Sequence, residues 1–154
     1  MEALKRSKPD LQIRMALLLH DIGKPYSYQE DGNIRHFKGH PQKSAEMAEK
    51  ILHRLGYSDK EVEDIYYLIK NHDALIDVNR INENNIELTK KLLYIQYCDA
   101  YAHAPQHVDK RIKKLDTICE QIGKILEIEE RKKEKILKGS NKYGRIFTND
   151  AKIS

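Results

Sequence analysis

Several features common in secreted, membrane-bound or repetitive chains are scarce here. The 154 residues include only two cysteines, Cys98 and Cys119, and no CxxC pair. That excludes a disulfide scaffold and predicts two free thiols in a reducing cytoplasm. Long apolar runs are missing too. The longest is Met15–Leu19, far below the roughly 20 residues that span a bilayer. The opening segment MEALKRSKPD lacks the apolar stretch of a secretory leader, which again predicts a cytoplasmic location and no membrane contact. There is no low-complexity tract, no internal repeat of about 20–50 residues and no useful β-alternation. A solenoid, a disordered chain and an all-β fold are excluded on those grounds.

What remains is ordinary globular material, 40% hydrophobic and 34% charged. A chain of this length can bury about 68–70% of its unfolded surface as one domain. The net charge of +4 is unevenly placed. Residues 1–109 hold 15 basic and 17 acidic side chains, whereas residues 110–154 hold 13 basic and 7 acidic. The C-terminal third is therefore net +6 and offers a face for RNA phosphates or another acidic partner.

Helix punctuation divides the chain. Pro9 precedes a first helix predicted over about Asp10 to Ile22, with Gly23 and Pro25 as its stop. Residues 24–39 read as a loop with a short hairpin around Asp31-Gly32. A second helix starts at His40-Pro41 and ends near Gly56. Ser58, with Glu61 three residues on, caps a third that ends near Asn71-His72. A fourth spans about Asn84 to His103, where Pro105 closes it. A fifth, highly charged helix covers about Gln106 to Leu137 with a break near Gly123. The prediction is an all-α bundle of five to six helices over residues 1–138, with a loose tail over 139–154.

At about 100° per residue, polar side chains fall where core residues belong. Asp99 shares a stripe with Leu88, Leu92, Ile95 and Ala102. His72 shares one with Ile65, Leu68 and Ile69. His40 lines up with Ser44, Ala48, Ile51 and Leu55. Asp21 lines up with Ile13 and Leu17, with His20 beside it. An ionised carboxylate buried without a partner costs several kcal/mol. Two carboxylates and three imidazoles pointing inward at helix ends share one economical explanation, a divalent cation. His36 reads as a loop residue near the mouth of such a site. His53 is expected to face solvent, and His103 and His107 to flank the helix end at Pro105.

The stretch LLLHDIGKP (17–25) carries an adjacent His-Asp pair. It is followed by GHPQKSAEMAEKILHRLGYSDKEVEDIYYLIKNHD (39–73) and YIQYCDAYA (94–102). Together these resemble the HD superfamily of metal-dependent phosphohydrolases, and within it the HD domain of bacterial tRNA nucleotidyltransferases, over roughly residues 10–125. The resemblance implies that His20, Asp21 and Asp99 are ligands of one metal. It implies that His40 and His72 complete a second site, with Asp21 bridging. Lys24 matches the family lysine that offers charge to a substrate phosphate. The implied ions are Mn, Fe, Co, Ni, Zn or Mg, one or two per chain. The implied activity is hydrolysis of nucleotides, 2′,3′-cyclic phosphates or RNA ends, with Asp21 and Lys24 as catalytic groups and His36 on the substrate side. A homodimer and hydrolysis of signalling nucleotides are further possibilities. The family pattern opens with a His on an earlier helix, and no His precedes His20. The alternative expectation is thus a degenerate HD module that binds RNA or a protein without turnover.

Overall fold

A computed structural model describes residues 10–32, 34–103 and 105–147. Among these are five α-helices: α1 (Leu11–Leu19), α2 (His40–Arg54), α3 (Asp59–Lys70), α4 (Ile86–Ala102) and α5 (Pro105–Phe147). The only sheet among the described residues is the hairpin of β1 (Gln29–Asp31) and β2 (Ile34–His36), antiparallel with Glu30 opposite Arg35. The fold is all-α. The chain divides into two compact units, residues 1–116 and 117–154. The first contains α1 to α4, the hairpin and the opening turns of α5.

Within that first unit α3 is central and packs against α1, α2 and α4. Its start follows from the sequence. The Glu61 amide bonds Ser58 Oγ at 3.5 Å, and the Ser58 amide bonds Glu61 Oε2 at 2.9 Å, a complete capping box. Helix α2 opens at His40 with Pro41 in its first turn, where a missing N–H is harmless. It closes at Gly56, whose φ of +81° is a conformation that a side chain would disfavour.

The inward stripes pack as one core. Ile13, Ala16 and Leu17 of α1 meet Ala45, Ala48 and Leu52 of α2. Ile65, Leu68 and Ile69 of α3 and Leu92 and Ile95 of α4 complete it. Cys98 is buried in this core and Cys119 is exposed, and neither is in a disulfide. The ends of two stripes depart from expectation: Leu55, at the C-cap of α2, and Ala102, the last residue of α4, are exposed.

Two helix boundaries differ from the sequence prediction. Helix α1 ends at Leu19 rather than Ile22. Beyond it the backbone tightens to i→i−3 bonds, from Ile22 N to Leu19 O and from Lys24 N to Asp21 O, leading into a 3-10 turn over Lys24–Tyr26. His20 and Asp21 therefore stand on a turn, not on the helix. Helix α5 begins at Pro105, passes Gly123 unbroken and continues to Phe147. Nothing crowds Gly123, and one glycine in an exposed helix costs only about 1 kcal/mol relative to alanine. Residues 148–154 of the expected tail lie outside the described residues. No helix among the described residues is long and apolar enough to cross a membrane.

Candidate metal centre

Four chain segments deliver side chains to one place. The turn after α1 brings His20 and Asp21, the first residue of α2 brings His40, the turn after α3 brings His72, and the last turns of α4 bring Asp99. Gly23 makes that convergence possible. Its amide donates to Ser44 Oγ at 2.9 Å, which locks the first turn of α2 onto the His-Asp turn. A Cβ at Gly23 would lie 2.6 Å from Ser44 N and 2.9 Å from His40 O. The glycine is therefore needed for close backbone approach, and its φ of −81° is ordinary.

Each site histidine is oriented in the same way. The Nδ1 atoms of His20, His40 and His72 lie 2.8, 2.9 and 2.6 Å from the carbonyls of Leu17, Phe37 and Ile69. A carbonyl only accepts, so each Nδ1 carries a proton, and in the neutral form of each ring the lone pair is on Nε2. Those lone pairs converge. His40 Nε2 and His72 Nε2 are 3.3 Å apart. His40 Nε2 is 3.3 Å, and His72 Nε2 3.9 Å, from Asp21 Oδ1. On the other side His20 Nε2 is 3.3 Å from both Asp21 Oδ2 and Asp99 Oδ1. His20 Nε2 and Asp21 Oδ1 are buried with no hydrogen-bond partner among the described residues. Facing acceptors repel unless a cation sits among them. The donor set is neutral imidazole and carboxylate, with each imidazole pinned through its other nitrogen, and it fits a divalent ion.

The charges in the site follow from its packing. Burial works against a charged His20, yet the Asp99 and Asp21 carboxylates outweigh it and raise its pKa above the usual value. His72 goes the other way, held neutral chiefly by burial. Burial opposes ionisation of Asp99 as well, but His20, Arg111 and His103 hold its carboxyl well below the usual range.

The structure brings together the five residues picked out on the stripes: His20, Asp21, His40, His72 and Asp99. Lys24 stands at their edge, with Nζ 2.7 Å from Asp21 Oδ2 and 5.9 Å from the centre of the Phe37 ring. His36 is exposed on β2 opposite Gln29, and the ion pairs and ring contacts found among the described residues do not join it to the cluster. His53 is exposed, 4.0 Å from Asp59. His103 is less of a bystander than expected: its Nδ1 donates to Asp99 O at 2.7 Å and lies 3.8 Å from Asp99 Oδ1.

Two functional candidates escaped the stripe argument. Asp73 Oδ2 lies 3.4 Å from His40 Nε2 and 3.5 Å from His72 Nε2, so His40, His72 and Asp73 could hold an ion, as could His20, Asp21 and His72. Asp73 follows α3 and so belongs to no helical stripe. Its one signal was adjacency to His72. Arg111, on the second turn of α5, reaches Asp99 Oδ2 at 2.9 Å. Helical periodicity within α5 contains nothing that singles it out.

The chain is 39% identical over 105 residues to the A-adding tRNA nucleotidyltransferase of Deinococcus radiodurans, covering 64% of this chain and 24% of that protein. It is 30% identical over 99 residues to the CC-adding tRNA nucleotidyltransferase of Thermus thermophilus, covering 60% of this chain and 23% of that protein. The chain thus spans about a quarter of the length of those two enzymes. It is 32% identical over 125 residues to the "Putative phosphohydrolase YueE" of Bacillus subtilis, covering 73% of this chain and 70% of that protein. No solved structure matches at comparable significance. The HD domain pattern matches residues 1–104, the span that supplies His20, Asp21, His40, His72 and Asp99, and on this ground the chain belongs to the HD domain family of metal-dependent phosphohydrolases.

Proposed function

We propose that the chain is a hydrolase of phosphate esters on nucleotides, cyclic phosphates or RNA ends, dependent on one or two divalent ions. The observation that carries this reading is the pair of Nε2 lone pairs of His40 and His72, 3.3 Å apart, facing the unpartnered Asp21 Oδ1. His20, Asp21 and Asp99 would hold one ion, and His40 and His72 with Asp21 and Asp73 the other. A divalent ion bound there supplies electrophilic activation of water and of the phosphoryl group. The protein's own groups do the rest. The backbone carbonyls of Leu17, Phe37 and Ile69 keep the three rings in the metal-binding tautomer. Asp21 stands between the two sets of donors with its Oδ1 and Oδ2 facing opposite sides. Lys24, partly exposed beside Asp21, offers a cation to phosphate oxygens at the rim. His36 would meet the substrate farther out.

Elemental analysis of the purified chain tests the reading, followed by a phosphatase and phosphodiesterase screen with Mn, Fe, Co, Ni, Zn and Mg. The expected result is one or two equivalents of metal. His20→Ala and Asp21→Ala should each lose both metal and hydrolysis of a generic phosphodiester. A parent protein that takes up no ion overturns it. A second reading, a non-catalytic RNA-binding HD module, draws on the net +6 of residues 110–154. Steeply salt-dependent RNA binding without turnover under any ion would favour it.

A further inference from the structure

The side-chain oxygens of Asp73 and Asp99 are divided in the same way. Asp73 Oδ2 faces His40 and His72 at 3.4 and 3.5 Å. Asp99 Oδ1 faces His20 at 3.3 Å. The remaining oxygen of each goes to a single atom outside the histidine cluster: Arg111 Nη2 lies 3.4 Å from Asp73 Oδ1 and 2.9 Å from Asp99 Oδ2. One guanidinium thus touches an acid of the His20 half of the site and an acid of the His40–His72 half.

We propose that Arg111 is a positioning residue that allots these oxygens. It keeps one oxygen of each carboxylate and turns the other toward the histidines, so that both acids are presented to metal through a single oxygen. The inference rests on the reading that the cluster holds divalent ions.

The backbone of the Asp73 turn is already fixed by another group. The buried Gln96 side chain donates to Asn71 O at 3.2 Å and to Ala74 O at 2.7 Å. What Gln96 leaves free is rotation of the Asp73 side chain, and that is what Arg111 restrains. Without it, both oxygens of Asp99 and Asp73 compete for the same cationic centre, and the carboxylates lose their set orientation. The arginine is also suited in kind. The two N–H bonds of Nη2 are fixed in the guanidinium plane, one available to each carboxylate, whereas a lysine ammonium turns freely on a flexible stem and does not hold the same division, although it keeps the charge.

Removing a cation beside a metal site would by itself strengthen metal binding, so charge and geometry must be separated. Arg111→Lys does this, and Arg111→Met adds the loss of charge. The measurement is calorimetric titration of the full metal-stripped chain with Mn2+, alongside thermal melting in chelator. The expected result is an Mn2+ affinity about 10–100-fold weaker in Arg111→Lys, with melting in chelator close to that of the parent. Arg111→Met should be weaker as well, by an amount reduced by the lost repulsion. Parent-like affinity in Arg111→Lys overturns the inference, as does an Arg111→Lys chain that no longer folds, since either makes the residue a structural ion-pair partner only. Absence of Mn2+ binding by the parent instead overturns the metal reading itself.

Discussion

At the scale of single residues, the site depends on groups that fill no coordination position. Gly23 is the clearest. Any Cβ there meets the backbone of Ser44 and His40, which cannot rotate away as a side-chain end would. Gly23→Ala must therefore push the start of α2, and His40 with it, away from the His-Asp turn. Overpacking of this kind costs about 1–3 kcal/mol. Urea unfolding in chelator should show that loss at unchanged slope, and Mn2+ affinity should fall as well. A midpoint equal to the parent's would mean that the contact is softer than the backbone geometry implies. The three histidines show a second residue-scale rule. Their types are plain in the sequence, but their tautomers are set by carbonyls three residues upstream, a relation visible only once the local turn is known.

At the scale of elements, caps decide where helices begin and so where ligands sit. Asp10 accepts from the Ile13 amide at 3.0 Å and pairs with Lys91 of α4 at 3.0 Å, which ties the start of α1 to α4. Burial would raise the Asp10 pKa, but the Ile13 amide and Lys91 together lower it. A carboxyl with a lowered folded pKa contributes stability above its unfolded value of about 3.9 and loses it as pH falls. Asp10→Ala should thus cost about 1 kcal/mol at neutral pH. The gap between variant and parent should narrow as denaturation is repeated through the carboxylate range. A gap independent of pH would assign the loss to packing. The capping box of α3 and the Pro41 start of α2 were legible because capping is local. The early end of α1 was not: after Leu19 the chain takes a 3-10 path to Gly23, whose amide bonds Ser44, 21 residues away.

At the scale of the whole molecule, metal binding and stability become one quantity. An ion that binds only the folded chain stabilises it by about 2.7 kcal/mol per site at a hundredfold excess over its Kd. Chelator should lower the melting temperature and Mn2+ should raise it. An equal melting temperature in both conditions would contradict a preformed metal site. The dependence on pH has a definite sign. Metal requires unprotonated Nε2 atoms, and burial already keeps His72 neutral. His20, with its raised pKa, still holds a proton at pH values where a free histidine has lost it. Affinity should therefore climb as pH rises through the usual histidine range and beyond it, with release of protons measurable by titration in buffers of different ionisation heat. Flat affinity over that range would remove His20 from the ligand set.

The sequence by itself determined the all-α fold, the helix starts and the inward placement of His20, Asp21, His40, His72 and Asp99. Hydrophobic periodicity and capping are local, and a polar residue on an apolar stripe is conspicuous without a structure. Only the tertiary structure decided that these five side chains meet, that Asp73 joins them from beyond the end of α3, and that Arg111 of α5 takes an oxygen from both Asp73 and Asp99. Those contacts join residues up to 79 positions apart, as between His20 and Asp99, through packing between helices and turns, and no periodicity within one helix encodes the direction in which its neighbour points.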